Sequence, residues 1–172
     1  MYGKIPPTMR IPLRAVFAAI AVVAFSLIAT AIFYFQDQLG LDPCPMCILS
    51  RYTFIAIGIV ALAAAIHGPR PRAPKVYASI VALFAVVGIG ISMRHSYLQH
   101  FPPATESCGG DLEMLVNTLP LTQALPRIFA GTGSCSAVDW KMLGLSIPEW
   151  ALVWFAVFGA AALWAALRKP AA

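Results

Sequence analysis

The sequence predicts an all-α membrane protein, a four-transmembrane-helix bundle with a long extracytoplasmic loop, organised as a single membrane domain over residues 1–172. Three observations carry that prediction. Apolar residues make up 60% of the chain and charged residues only 11%, where soluble domains carry roughly 25% charged residues. Long uncharged apolar runs occur four times, each bounded by polar or charged residues. Lysine and arginine cluster in three short segments that contain no Asp or Glu, while the acids fall elsewhere. The formal net charge of +5 does not indicate nucleic acid, because phosphate-backbone binding needs cations gathered on a solvated polar surface. Here they flank apolar runs.

The first run, Ala15 to Gln36, has 22 residues and as a helix is about 33 Å long, enough to cross a hydrocarbon core of about 30 Å. The second, Tyr52 to Ile66, has only 15 residues. It spans only when extended back to Cys47, and that extension places Arg51 about one turn inside the boundary, where a charge must snorkel, pair or face a polar cavity. The third, Val76 to Met93, has 18 residues between Lys75 and Arg94, and snorkelling by those cations extends its reach. The fourth, Ala151 to Leu167, has 17 residues. Pro148 suits the first turn of that helix and Ser146 is placed to cap it, adding Glu149 and Trp150 at the interface. The expected helices are therefore 15–36, 47–66, 76–95 and 148–167, with outer loops over 37–46 and 96–147.

Orientation follows from the flanks. Lys4, Arg10 and Arg14, then Arg70, Arg72 and Lys75, then Arg168 and Lys169 put both termini in the cytoplasm by the positive-inside rule. All seven acidic residues then fall on the other side. The stretch from Lys4 through Ala31 also has the outline of a signal peptide. Its apolar run continues through Phe35 and exceeds the 7–15 residues usual for such a core, so a retained helix is expected; cleavage would leave three helices in the same orientation. Within the outer loop, apolar residues from Leu112 to Phe129 recur near the helical period while Pro120 and Pro126 interrupt them, a pattern for short amphipathic segments on the membrane surface or for an irregular loop packed on helix ends.

The four cysteines, Cys44, Cys47, Cys108 and Cys135, all lie on the predicted outer side, in an oxidising compartment. Two disulfides are expected, with three possible connectivities. Cys44 and Cys47 form a CxxC at the start of the second span, where unpaired backbone N–H groups stabilise a thiolate. Redox chemistry is the favoured reading, with a metal site or a static clip as alternatives. No metal is expected, since Ile48 replaces the histidine of a haem-attachment motif and no second CxxC completes a zinc site. Cys108 and Cys135, taken alone, also suit a loop-closing staple. Arg51, four residues after Cys47, shares its helix face and can stabilise a thiolate or hold a polar cofactor headgroup. His95 lies at the outer end of the third span with Gln99 four residues on, a titratable group suited to proton transfer in a two-electron reaction.

These residues carry a pattern. CPMCILSR (Cys44 to Arg51), RHSYLQ (Arg94 to Gln99), Cys108, and GTGSCSAVDWKMLGLSIPEW (Gly131 to Trp150) resemble the bacterial disulfide bond formation protein B family, over most of the chain from Ala15 to Leu167. The resemblance implies a quinone-dependent thiol oxidase of the bacterial inner membrane. It implies that Cys108 exchanges with a reduced periplasmic DsbA-like thioredoxin-fold protein, that Cys135 helps resolve the mixed disulfide, and that electrons pass to Cys44 and Cys47. It further implies ubiquinone or menaquinone as the acceptor, with Cys47, Arg51 and His95 beside it. The chain departs from some relatives by carrying Ser50, not an acid, before Arg51, and the segment between Cys108 and Cys135 follows the pattern weakly.

Overall fold

The computed structural model describes residues 12–67, 73–102, 120, 122–123, 136, 138 and 140–168. Four helices form an up-down-up-down bundle. Helix α1 spans Leu13–Ala29 and runs directly into a π-helical segment, Thr30–Gln38; α2 spans Pro45–His67, α3 Ala73–His100 and α4 Ile147–Leu167. Counting the π-helical segment with α1, the four have 26, 23, 28 and 21 residues and are apolar enough to cross a membrane. Each exceeds the roughly 20 residues a bilayer requires. The residues before position 12, and most of 96–147 including Cys108, Cys135 and the amphipathic pattern from Leu112, lie outside the described residues.

The packing runs opposite to that of a soluble bundle. Most of the buried positions are small, with Ala21, Ala24, Ala61, Ala78, Ala85 and Ala162 at or near full burial, while Val22, Phe33, Ile66, Leu83 and Val86 are exposed. Lipid tails solvate large apolar side chains as well as a core does, so association relies on close backbone approach between small residues. The large side chains that are inside lock the centre: Phe54 of α2 stacks on Phe155 of α4 at 4.0 Å and meets Phe158 edge-on at 6.1 Å. Helix α3 packs most extensively on α4, α1 on α2 and α2 on α3, whereas α1 and α4 barely meet. That leaves a seam between the first and last helices.

Gly88 on α3 shows how tight the centre is. A Cβ there would lie 2.5 Å from the Phe155 ring, and the ring is fully buried. Gly88→Ala is expected to cost about 1–3 kcal/mol through overpacking, measured by SDS-induced unfolding in mixed micelles. Gly90→Ala, where nothing lies within 4 Å, stays within about 0.5 kcal/mol. Equal behaviour of the two variants would show that the α3–α4 contact is looser than this.

The start of α4 is fixed by its own sequence. Ser146 is the N-cap, its backbone N–H donates to Glu149 Oε2 at 2.6 Å and its hydroxyl to the same oxygen at 3.0 Å. Pro148 sits in the first turn, in a capping box. Just before it, strands β1 (Lys141–Met142) and β2 (Leu145–Ser146) pair antiparallel across Leu143 and Gly144. Both turn residues have positive φ, 55° and 85°, the geometry of a type I′ hairpin.

Candidate active site

All four helices contribute to one cavity of about 590 Å³ at the end of the bundle where α2 begins. It occupies the α1–α4 seam. Its walls are apolar and aromatic, with Leu27, Phe35, Phe54 and Trp154 among them, and its polar groups converge from two helices: Cys44, Cys47 and Arg51 at the start of α2, and His95 and Gln99 on α3. Such a shape, mostly apolar with a few convergent polar groups, is that of a small-molecule site.

Helix α2 starts at Pro45, two residues before the expected boundary, because proline has the right φ for a first turn and no N–H to leave unpaired there. Cys44 therefore precedes the helix. The backbone N–H of Cys47 donates to Cys44 Sγ at 3.4 Å, so the sulfur takes the place of a capping oxygen over the helix's exposed amides. The Cys44 thiol donates to Cys47 Sγ at 3.1 Å, against about 2.05 Å for a disulfide bond. Closing the pair requires about 1 Å of movement.

Helix α3 continues past the expected end at 95 to His100. His95 is therefore held inside a regular helix, 3% exposed, with Nε2 3.6 Å from Cys44 Sγ. Gln99, one turn on, lines the same cavity, as the four-residue spacing predicts when the helix continues. The histidine thus adjoins the first cysteine of the pair, a contact between residues 51 positions apart that spacing alone does not reveal.

Arg51 lines the cavity together with Cys47, but its guanidinium reaches toward α1, donating to Gln36 Oε1 at 2.8 Å and to the Ala31 carbonyl at 3.2 Å. Both acceptors belong to the π-helical segment, where a straight helix was expected. A π turn widens the backbone and is found often at functional sites; here it supplies a carbonyl and a side-chain amide to a charge that would otherwise be costly at this depth. Ser50, in place of an acid, is buried beside Arg51.

The hairpin completes the roof. Trp140 packs edge-on against Phe35 of the π-helical segment at 4.8 Å, and Trp150 Nε1 donates to the Met142 carbonyl at 3.1 Å. The sequence marks Trp150 as an interfacial residue at the start of the fourth span, and Trp140 only as part of a family motif. Their physical role is to hold the hairpin over the cavity. Cys108 and Cys135 lie outside the described residues, so the geometry joins Cys44, Cys47, Arg51 and His95 and leaves the second cysteine pair unplaced.

A family model described as Disulfide bond formation protein DsbB matches residues 13–165. The chain is also similar to curated proteins named Disulfide bond formation protein B. That from Aromatoleum aromaticum is 43% identical over 156 residues, covering 91% of this chain and 93% of the relative. That from an Azoarcus species is 42% identical over 151 residues, covering 88% and 90%. That from Nitrosococcus oceani is 45% identical over 132 residues, covering 76% and 78%.

Proposed function

The chain belongs to the disulfide bond formation protein DsbB family, and from this premise we propose that it is a quinone-dependent thiol oxidase of the bacterial inner membrane. It reoxidises a periplasmic DsbA-like thioredoxin-fold protein and delivers the electrons to ubiquinone or menaquinone. The observation that carries the reading is the convergence of the Cys44–Cys47 pair, Arg51 and His95 on one apolar cavity at the α1–α4 seam. A hydrophobic ring with polar edges fits that combination of aromatic walls and convergent donors. In this reading Arg51 and His95 hold the quinone and Cys47 faces it.

The exchange begins at Cys108, the thiol that meets the partner, with Cys135 resolving the mixed disulfide. Electrons then reach the Cys44–Cys47 disulfide and reduce it to the dithiol. The Cys47 amide stabilises negative charge on Cys44, and His95, in reach of that sulfur, accepts or returns its proton. Re-forming the disulfide releases two electrons and two protons. A bound quinone supplies the acceptor for both. The drive matters, because a DsbA-like donor at about −120 mV cannot be oxidised by an ordinary structural disulfide below about −300 mV. Orientation follows the cations: both termini cytoplasmic, 37–46 and 96–147 periplasmic.

The test is turnover of the purified protein in liposomes with a reduced thioredoxin-fold donor and quinone, following thiols and quinol together. Equal, catalytic loss of thiols and gain of quinol is expected. Absence of turnover, with thiols kept and no quinol formed, would leave a static scaffold. Outer-face labelling of a cysteine placed at position 72 in intact cells would reverse the orientation.

A further inference from the structure

We propose that in the dithiol state Cys44, Cys47 and His95 form a site for a thiophilic d10 cation, with Zn²⁺ as its representative. The three ligand atoms lie within 4.8 Å of one another. Zinc bonds of about 2.3 Å to sulfur and about 2.0–2.1 Å to nitrogen, at tetrahedral angles, set S···N near about 3.6 Å and S···S near about 3.8 Å. The Cys44 Sγ to His95 Nε2 distance is already 3.6 Å. The sulfurs, at 3.1 Å, have to part by about 0.7 Å, and Cys47 Sγ, within 4.8 Å of the imidazole, has to close to about 3.6 Å of its nitrogen, both within reach of a side-chain rotation of Cys47. Three protein ligands with a fourth position facing a cavity is the pattern of an open zinc site, not a closed structural one, and thiolates favour soft d10 ions.

Two ligands are the redox-active pair, so the site is gated by oxidation. Binding M²⁺ converts two thiols into two metal-bound thiolates and releases two protons; forming the disulfide ties both sulfurs into one bond and removes the site. A metal held there keeps the pair reduced and halts its reoxidation until it leaves. This goes beyond the oxidase reading and rests only on the three side chains, so it stands or falls independently of the quinone.

The experiment uses the full chain with Cys108→Ser and Cys135→Ser, which leaves Cys44 and Cys47 as the remaining thiols, in lipid nanodiscs and anaerobically reduced. Titration with Co²⁺, a spectroscopic substitute for Zn²⁺, is expected to give a thiolate-to-cobalt charge-transfer band at one ion per chain. About two protons are released, and Zn²⁺ displaces the cobalt. The disulfide form binds at least about 100-fold more weakly, and His95→Ala in the same background weakens binding at least about ten-fold, since even outer partners of a metal site carry about 10–100-fold. His95→Gln, checked for helicity by circular dichroism, guards against a folding defect and is expected to match His95→Ala. Absence of the band, equal binding by the disulfide form, or unchanged affinity in both folded His95 variants overturns the proposal.

Discussion

Serine at Cys44 or at Cys47 is expected to reduce quinone-linked thiol oxidation to the uncatalysed background, a loss on the order of 10³-fold or more, the scale reached when one member of a catalytic unit is removed. The physical reason is local. The two sulfurs sit 3.1 Å apart and must close to about 2.05 Å to form the bond, and an oxygen in either place cannot complete it. Serine is nearly the size of cysteine and Cys44 is buried, so the bundle survives and the loss is chemical. Cys108→Ala should separate from both: it loses turnover with the partner and its mixed-disulfide trap, which persists in Cys135→Ala, yet the Cys44–Cys47 dithiol is still oxidised by added quinone in a single turnover. Turnover above about a tenth of the wild-type rate in Cys47→Ser, or partner trapping without Cys108, would overturn these assignments.

Arg51→Met is expected to weaken quinone binding by about 10–150-fold. Charge-assisted hydrogen bonds contribute roughly 1.5–3 kcal/mol when well formed, and 1.4 kcal/mol is tenfold. Lysine keeps the charge without the planar fork and should fall between. The bonds from Arg51 to Gln36 and Ala31 add a second control, because the same guanidinium ties α2 to the π-helical segment. Gln36→Leu removes one tie and keeps the charge, so its effect should stay below about tenfold. Direct quinone binding, measured beside turnover in folded variants, decides: unchanged affinity in Arg51→Met makes the arginine a tie between helices and takes the acceptor away from it.

The helices were legible because a bilayer imposes a length and an apolar composition that a soluble core does not. Their ends were less so. The run between charges stops at Met93 and the expected helix at His95, yet α3 continues to His100, since backbone hydrogen bonding does not end where hydrocarbon ends. The π-helical segment left no trace in a run that is apolar on every face, where periodicity carries no information. The hairpin was concealed by Leu143, a poor residue for positive φ. At the site, Cys44, Cys47 and Arg51 are near in sequence and were found together. The approach of His95 to Cys44, and of Arg51 to Gln36, depends on how helices dock, and no spacing encodes it.

Because α1 and α4 barely meet and both line the cavity, the seam between them offers a lateral route to the site for a ligand dissolved in the bilayer. A ligand arriving by that seam searches a two-dimensional sheet, and its effective dose is a mole fraction in lipid, not a molarity in buffer. Occupancy then follows how crowded the bilayer is with that ligand: diluting the protein in water leaves it unchanged, and diluting the lipid with inert amphiphile starves it.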